Sequence, residues 1–409
     1  MSLFMSTYAQ NLNKNGQGFS LQLNQITIAV PFLLITPDAG HRGMGDAGVA
    51  AVAGPNSLHW NQSQLAFISD SGMFNVDNQH QKFGVSVNHS GWLKALVPGM
   101  NLYNLSGYKT IGDKSAISGA VKYFSLGELT VLNSAGVLLN HFYGREVSGQ
   151  IGYTRKIVES FSVGVSMKYI NSNVARYSGH QTINSYSPRT AYAGGLSMLY
   201  KSRQFNLLTK QVQVSGGLQI SNIGSKIYYT GDSISDFLPQ NLKLGTGIAV
   251  QLNDKAILMI LVDANKLLVP TPPRYLRDET GQVVVNNGQY VISAGMDPDV
   301  GVLEGTIQSF YDAPGSHYGR AGDLIQTGVA KEEFREINWS FGAELRLDEI
   351  IFLRSGFFYE HYTKGNRQYA TVGLGGKFRM YEANVSYLVP ISQQHPWAKT
   401  LQVGVSVVL

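Results

Sequence analysis

The chain contains no cysteine among its 409 residues. A disulfide framework is therefore excluded, and so is a metal site built from thiolates. The sequence also lacks the G-x-S-x-G element of serine hydrolases and the H-E-x-x-H element of zinc proteases. These absences argue against the best-known hydrolytic sites, although they do not identify the compartment in which the protein works.

Charged residues and long apolar runs are both scarce. Charged side chains make up 14% of the chain, against roughly 25% in ordinary soluble domains. The longest apolar candidates, 30–35 and 256–262, fall far short of the roughly 18 residues that a membrane-spanning helix needs. The formal net charge of +5 is spread along the chain and does not indicate nucleic-acid binding. A helical membrane protein and a nucleic-acid-binding protein are both disfavoured.

Glycine, aromatic residues and strict alternation dominate what is present. The chain has 45 glycines, 22 tyrosines and 18 phenylalanines, a mixture typical of membrane barrels with aromatic girdles. From residue 337 to 347 the odd positions are apolar and the even positions are polar or small. That period predicts a strand with two unlike faces. The alternation continues through 351–359, 370–378, 381–387 and 401–409.

Nine further segments upstream are predicted strands. They bring the count to fourteen, an even number, as a single-chain bacterial barrel requires. The segments are 81–88, 101–109, 116–124, 147–157, 161–170, 191–200, 211–220, 242–252 and 256–266.

The connections between these strands alternate between short and long. Residues 253–255 and 348–350 are short turns, whereas 125–145 and 171–190 are long. Outer-membrane barrels place short turns in the periplasm and long loops outside the cell. We therefore expect an all-β transmembrane barrel of about fourteen antiparallel strands, with both termini in the periplasm. The longest connection, 267–335, is expected on the cell surface and to be functional.

The N-terminal part of the chain lacks the barrel alternation. Residues 1–10 are interpreted as the stub of a secretory signal. Residues 11–70 combine an apolar start with a glycine-rich segment, and we expect them to plug the lumen of a barrel that spans 71–409.

Three groups of residues suggest chemistry without supporting it. Residues 43–48 match G-x-G-x-x-G, but no βαβ unit surrounds them, so a glycine-rich fold inside the lumen is the preferred interpretation over a dinucleotide site. Glu360 and His361 are neighbours on a predicted strand and would point to opposite faces. The acidic residues of the long connection, Asp297, Asp299, Glu304 and Asp312, lack the spacing of an EF-hand. We expect no metal and no cofactor.

Ten short segments occur along the chain in a fixed order. They are VPFLL (30–34), PD (37–38), GMGDAGVA (43–50), WLKALV (92–97), YFSLGE (123–128), DPDVG (297–301), SFYDAPG (309–315), REIN (335–338), FYEHYTKGNR (358–367) and SYLVP (386–390). Taken together and in this order, they resemble the PorV family of the type IX secretion system. The resemblance runs from about residue 26 to the C-terminus.

The resemblance implies a barrel similar to the fatty-acid transporter FadL, in the outer membrane of a Gram-negative bacterium of the Bacteroidota. It implies a protein that is not an enzyme and that binds the C-terminal signal domain of secreted cargo at a SprA/Sov-type translocon. The cargo would then pass to a PorU-type sortase and attachment complex, among outer-membrane lipid and lipopolysaccharide. The alternative is FadL-like transport of a hydrophobic small molecule, which would need an apolar pocket in the lumen.

Two sets of residues are the candidate sites. The expected partner-binding set combines apolar residues of the long connection with nearby carboxylates: Asp297, Asp299, Val300, Leu303, Ile307, Phe310, Tyr311, Asp312 and Pro314. The expected plug set contains the turn-forming and glycine-rich positions Pro31, Phe32, Asp38, Gly43, Gly45, Asp46 and Gly48.

Overall fold

The structure is a computed structural model that describes residues 24–70, 81–93, 99–132, 138–174, 188–229, 235–318, 323–391 and 400–409, with no account of the side chains of 129–142. The predicted leader at 1–10, the first part of the predicted plug and residues 71–80 lie outside these ranges. No helix in the described ranges is long and apolar enough to cross a membrane.

The described residues form twenty-one strands, four short α-helices and two 3-10 turns. The strands are β1 (Phe83–Gly91), β2 (Met100–Ile111), β3 (Ser115–Leu132), β4 (Leu138–Val158), β5 (Phe161–Asn173), β6 (Arg189–Lys201), β7 (Phe205–Leu207), β8 (Lys210–Gly224), β9 (Asn241–Asn253), β10 (Ala256–Leu267), β11 (Arg274–Tyr275), β12 (Val285–Asn286), β13 (Gln289–Tyr290), β14 (Ile292–Ala294), β15 (Ser316–Tyr318), β16 (Leu324–Gln326), β17 (Asn338–Leu347), β18 (Ile351–Tyr359), β19 (Gln368–Phe378), β20 (Tyr381–Pro390) and β21 (Leu401–Val408). The helices are α1 (Ala39–Arg42), α2 (Ser57–Trp60), α3 (Val302–Gln308) and α4 (Val329–Arg335), and the 3-10 turns are Pro31–Leu34 and Gln62–Phe67.

Fourteen long strands close into one antiparallel barrel. In the described chain they form a single sheet with the short β7, which pairs only with β8. β1 pairs with β21, and β6 pairs with both β5 and β8, so the ring has no open edge. The prediction of a fourteen-stranded transmembrane barrel is confirmed.

The two faces of the wall differ as the alternation predicted. On β21, Val403 and Val405 are exposed on the outside, whereas Gln402 and Ser406 are buried inside. Tyrosines form neighbouring pairs on the outer face near the long-loop rim: Tyr103–Tyr123 and Tyr169–Tyr192, with ring centroids 6.2 and 5.5 Å apart. An apolar outer band bordered by aromatic side chains is typical of a wall that faces lipid.

One predicted loop is mostly strand. We expected 125–145 to be a long connection, but β3 continues to Leu132 and β4 begins at Leu138. The register shifts between Ser125 and Glu128, and Gly127 there has φ +73°. This bulge breaks the two-residue period of the side chains. The alternating sequence pattern therefore ends at the bulge, although the hydrogen-bonded pairing of β3 with β4 continues beyond it.

Residues 24–70 run through the barrel from one rim to the other. Asn24 N donates to Thr363 O at the long-loop rim, and Asp70 forms an ion pair with Lys156 near the short-turn rim. β1 begins at the short-turn rim, as the strand count predicts, whereas residue 24 lies at the long-loop rim. The N-terminus lies outside the described residues, so its periplasmic location stays a prediction. Leu409 N bonds to Phe83 O, which keeps the C-terminus at the short-turn rim as predicted.

Candidate functional site

Helix α3 presents an apolar face away from the barrel. Leu303 and Ile307 are 74% and 63% exposed, and Phe310 and Tyr311 follow at 49% and 53%. Leu303 and Ile307 are four residues apart and share one face of α3. Phe310 and Tyr311 lie in the turn that follows the helix. These four residues are called the α3 face below. The sequence predicted all four for partner binding, and all four are exposed in the structure.

The opposite side of α3 packs on the barrel rim. Gly305 is buried, and a Cβ at this position would lie 2.6 Å from the Phe237 ring and 3.0 Å from Pro270. Thr306 Oγ1 donates to Gln240 Oε1 at 2.7 Å. These close contacts of Gly305 and Thr306 fix the orientation of α3. The α3 face is exposed because the other side of the helix packs on the barrel.

The remaining predicted partner-binding residues divide into two groups. Asp297 and Asp299 are exposed beside α3, where Asp297 Oδ1 accepts from Asp299 N. Val300 and Pro314 are half-buried. Asp312 is fully buried and accepts from Thr271 N at 3.0 Å. Its side chain therefore belongs to the support of the loop and does not share the exposed surface with the others.

A buried set of six charged residues holds the long loop, residues 268–337, on the barrel. This rim cluster consists of Lys266, Asp312, Glu332, Glu333, Glu336 and Lys364. Lys266 Nζ lies 2.9 Å from Glu333 Oε2 and 2.7 Å from Glu336 Oε2. Lys364 Nζ lies 2.7 Å from Glu332 Oε1 and 2.9 Å from Glu336 Oε1. Two lysines from the barrel end and the β18–β19 loop thus clamp one face of α4.

The same carboxylates also bind backbone N–H groups of the loop. Glu333 Oε1 accepts from Ala313 N at 2.9 Å, and Glu332 Oε2 accepts from Ser316 N at 3.1 Å. Glu332 Oε1 further accepts from Asn24 Nδ2 at 3.3 Å. The cluster therefore joins the loop, the rim and the first described residues of the plug.

Four carboxylates against two lysines leave the rim cluster short of positive charge. Burial raises the pKa of Asp312 to about 6. Burial and the neighbouring Glu336 also raise the pKa of Glu333. Burial acts on Glu336 in the same sense, but Lys364 and Lys266 outweigh it and hold the Glu336 pKa below its usual value. The charge state of the cluster is therefore sensitive to mildly acidic pH.

Sequence reasoning missed the rim cluster. The spacing of Glu332, Glu333 and Glu336 in KEEFRE places them on one face of a helix, which was the available signal. Their partners Lys266 and Lys364 lie far away in sequence, and no local pattern connects them.

Glu360 and His361 are not strand residues, contrary to the expectation. β18 ends at Tyr359. Glu360 then pairs with Arg367 through two bonds, of 2.6 and 2.7 Å, and His361 Nδ1 lies 2.9 Å from Thr363 Oγ1. Both side chains stabilise the β18–β19 turn.

The polar residues predicted for the plug lock it to the lumen. Asp38 caps α1 by accepting from His41 N and from Trp60 Nε1. Asp46 accepts from Arg42 Nη1 at 2.7 Å and from the Tyr369 hydroxyl at 2.6 Å.

The glycines predicted for the plug allow its backbone to touch the wall. Gly45 has φ +66°, and a Cβ there would lie 2.6 Å from Phe341 O. Gly43 also lies close to the wall, because a Cβ added there would be 3.0 Å from Gly373 Cα. Asp263, on β10, accepts from Gly48 N and Val49 N at 2.7 and 3.0 Å. Backbone contact and a buried carboxylate therefore account for the G-x-G-x-x-G pattern without a ligand.

The first part of the plug fills an apolar half of the lumen. Val30, Phe32 and Leu33 are almost completely buried there, together with Phe124 of β3 and with Trp92, which follows β1. Near the other rim lies a vestibule of about 1170 Å³ with charged residues such as Lys201, Arg203 and Arg346 in its lining. The apolar volume is occupied by the chain itself, whereas the open volume is polar.

Three solved structures match most of this chain at low sequence identity. A "TodX deltaS2S3 mutant monoaromatic hydrocarbon channel" has 12% identity and a TM-score of 0.46, covering 91% of this chain and 97% of that chain. The "Pseudomonas putida toluene transporter TodX" has 11% identity and a TM-score of 0.44, covering 94% and 98%. A "Pseudomonas aeruginosa FadL homologue" has 10% identity and a TM-score of 0.42, covering 93% and 99%. No curated protein matches the chain.

One family model matches the sequence. It is described as "Type IX secretion system protein PorV", and the match extends over residues 19–274, more than half of the 409 residues. It covers the described plug and the wall from β1 to β10, including Asp38, Gly45 and Asp263. The chain is thus an outer-membrane β-barrel that belongs to the PorV family of the type IX secretion system.

Proposed function

We propose that this protein is a carrier and adaptor of the type IX secretion system. It binds the C-terminal signal domain of secreted cargo at a SprA/Sov-type translocon and delivers it to a PorU-type sortase and attachment complex. The observation that carries the proposal is the exposed α3 face on a loop that the rim cluster holds rigidly. Interface energy concentrates in a few apolar and aromatic anchors, and a held loop loses little entropy on binding.

The α3 face supplies the central contact in this proposal, with Asp297 and Asp299 at its polar edge. Leu303 and Ile307 are the best test positions on this face, because they are its most exposed residues and contribute least to the packing of α3 on the barrel. Phe310 is closer to the cluster, since the Lys266 ammonium lies 5.9 Å from its ring. Separate replacements at the two ends of the face distinguish a loss of docking from a loss of loop packing.

The test is capture of a purified cargo C-terminal domain by the full-length barrel in detergent. Leu303→Ala with Ile307→Ala, and separately Phe310→Ala with Tyr311→Ala, should each weaken capture by about 2–4 kcal/mol if the pairs are anchors. Val285→Ala with Tyr290→Ala is the matched control, because these exposed residues lie on a different hairpin of the same loop. Protease resistance of the loop is measured in parallel. Unchanged capture by both test variants would refute docking at this face.

The proposal also gives the barrel an orientation in a Bacteroidota outer membrane. The long loop lies outside the cell, and the short turns with the C-terminus lie in the periplasm. An epitope at Gly288, in the exposed β12–β13 turn, should then be labelled on intact cells, whereas one at Asn253 should not. The reverse labelling pattern would invert the orientation and remove the basis for surface docking.

Transport of a hydrophobic small molecule has less support. Such transport needs an accessible apolar pocket, and the apolar half of the lumen holds Val30, Phe32 and Leu33 of the plug. A fatty acid that binds the purified protein at low micromolar concentration, and that displaces these residues, would favour this alternative.

A further inference from the structure

Helix α4 carries opposite charges on its two sides. Glu332, Glu333 and Glu336 are buried in the rim cluster. Lys331, Phe334 and Arg335 are three or four residues apart and share the other side of the helix. Lys331 is exposed, Phe334 is 62% exposed and Arg335 is half-buried. The outward side of α4 is therefore basic and aromatic.

The two cations on this side have no anionic partner within the described residues. The carboxylates of α4 are engaged by Lys266 and Lys364, and no ion pair joins Lys331 or Arg335 to another described group. Their field extends to the neighbouring histidines: burial and then Arg335 lower the pKa of His361 to about 4, and both also lower the pKa of His317. Lys331 and Arg335 thus remain without a direct ion-pair partner on the outward side of α4, although the carboxylates of the rim cluster lie on its other side.

The position of α4 adjoins the lipid-facing wall. The Phe334 ring lies 6.4 Å from the ring of Trp339. Trp339 shares the outward face of β17 with Phe341, which is 43% exposed, and it pairs with Tyr359 of β18. Tryptophan and tyrosine at the end of an apolar band are typical of the membrane–water interface. The outward side of α4 is therefore continuous with that interface.

We propose that Lys331 and Arg335 bind a phosphate group of an outer-leaflet lipid, while Phe334 and Trp339 contact its acyl chains. Arginine and lysine form charge-assisted hydrogen bonds with phosphate oxygens. A free phosphate ion would leave Phe334 in water, whereas a phospholipid or lipid A molecule satisfies the cations and the aromatic side together. The continuity with the outer apolar band favours lipid over a protein partner. This inference rests on the orientation proposed above, with the long loop outside the cell, and not on cargo binding.

The experiment uses the full-length barrel in detergent, with diphosphoryl lipid A as the probe and native mass spectrometry to measure retained lipid. Lys331→Ala with Arg335→Ala should lower retention at least about tenfold, because each charge-assisted contact supplies a factor of about ten. Lys109→Ala with Lys114→Ala, two exposed lysines at the short-turn rim, is the matched control and should have no effect. Heat-modifiable migration on gels verifies that each barrel is folded.

Two further measurements distinguish binding of the intact lipid from binding of its acyl chains alone or of free phosphate. The wild type should retain chemically dephosphorylated lipid A poorly, and inorganic phosphate at equal concentration should not displace the intact lipid. Equal retention of the dephosphorylated lipid, efficient displacement by inorganic phosphate, or unchanged retention by the double variant would each overturn the proposal. Loss of cargo capture with unchanged lipid retention would assign this side to a protein partner and would also overturn it.

Discussion

Replacing Lys364 with methionine tests whether the rim cluster holds the long loop on the barrel. The Lys364 side chain is 5% exposed and pairs with both Glu332 and Glu336. Methionine keeps most of the apolar stem but removes the ammonium group. Glu336 retains Lys266 in the variant, whereas Glu332 keeps only the hydrogen bonds from Ser316 N and Asn24 Nδ2.

The expected loss is about 3 kcal/mol. Removing one partner of a buried ion pair costs about 3–5 kcal/mol, because the other charge stays buried without compensation. The lower end applies here because Asp312 and Glu333 already have raised pKa values and can take up a proton. A loss of about 3 kcal/mol raises the opening equilibrium of the loop more than a hundredfold. The barrel strands should be unaffected, since their ladders do not depend on Lys364.

Hydrogen exchange monitored by mass spectrometry measures this effect in peptides from α4 and from the barrel. Amides of α4 should exchange faster in the Lys364→Met variant, while those of β19 and β20 stay protected. Lys255→Met is the control, because Lys255 is 78% exposed and lies 3.9 Å from Asp348, so its loss should cost less than about 1 kcal/mol. Unchanged protection of α4, or a uniform loss across the barrel, would refute the anchoring role.

Three further predictions concern the loop and the plug. Asp312 binds its proton more tightly in the docked loop, so loop protection should fall as the pH rises from about 4 to about 6. Asp312→Asn should reduce that slope in hydrogen exchange and leave the part that the raised pKa of Glu333 contributes; an unchanged slope would contradict it. Asp263→Ala should leave two buried N–H groups without an acceptor, at about 1–3 kcal/mol each, and should speed exchange at residues 48 and 49. Gly45→Ala should unseat the plug and raise conductance in planar bilayers, whereas Gly54→Ala, with no atom within 4 Å of its added Cβ, should not; equal conductance would disprove the wall contact.

The barrel was predictable because the two faces of each strand lie in different surroundings, lipid on one side and the lumen on the other. Lipid on the outer face, and polar or small side chains on much of the inner face, impose the two-residue period. The observed strands begin and end within a few residues of most predicted limits. The errors occur where that contrast stops. The bulge at Gly127 breaks the period while pairing continues, and β18 ends at Tyr359, where the chain leaves the wall.

The candidate site was predictable only in its local part. The apolar spacing of Leu303, Ile307 and Phe310 can be read from consecutive residues. The rim cluster that supports this face could not be predicted from the sequence, because its lysines come from the end of β10 and from the β18–β19 loop. The buried state of Asp312 has the same origin: its acceptor role for Thr271 N exists only when the loop is folded on the rim.

The contents of the lumen bear on which surface is available to a partner. Burying a side chain such as Val30, Phe32 or Leu33 is worth about 1.5–3 kcal/mol, so exposing all three to water costs about 5–9 kcal/mol. A micromolar ligand has about 8 kcal/mol of binding free energy in total. A small hydrophobic molecule that exposed these side chains would need most of that energy merely to open its own site. The α3 face is already exposed and its supporting loop is already fixed. A protein that docks there therefore need not expose buried side chains, and it need not order the loop. The energetics therefore favour recognition at the rim over transport through the lumen.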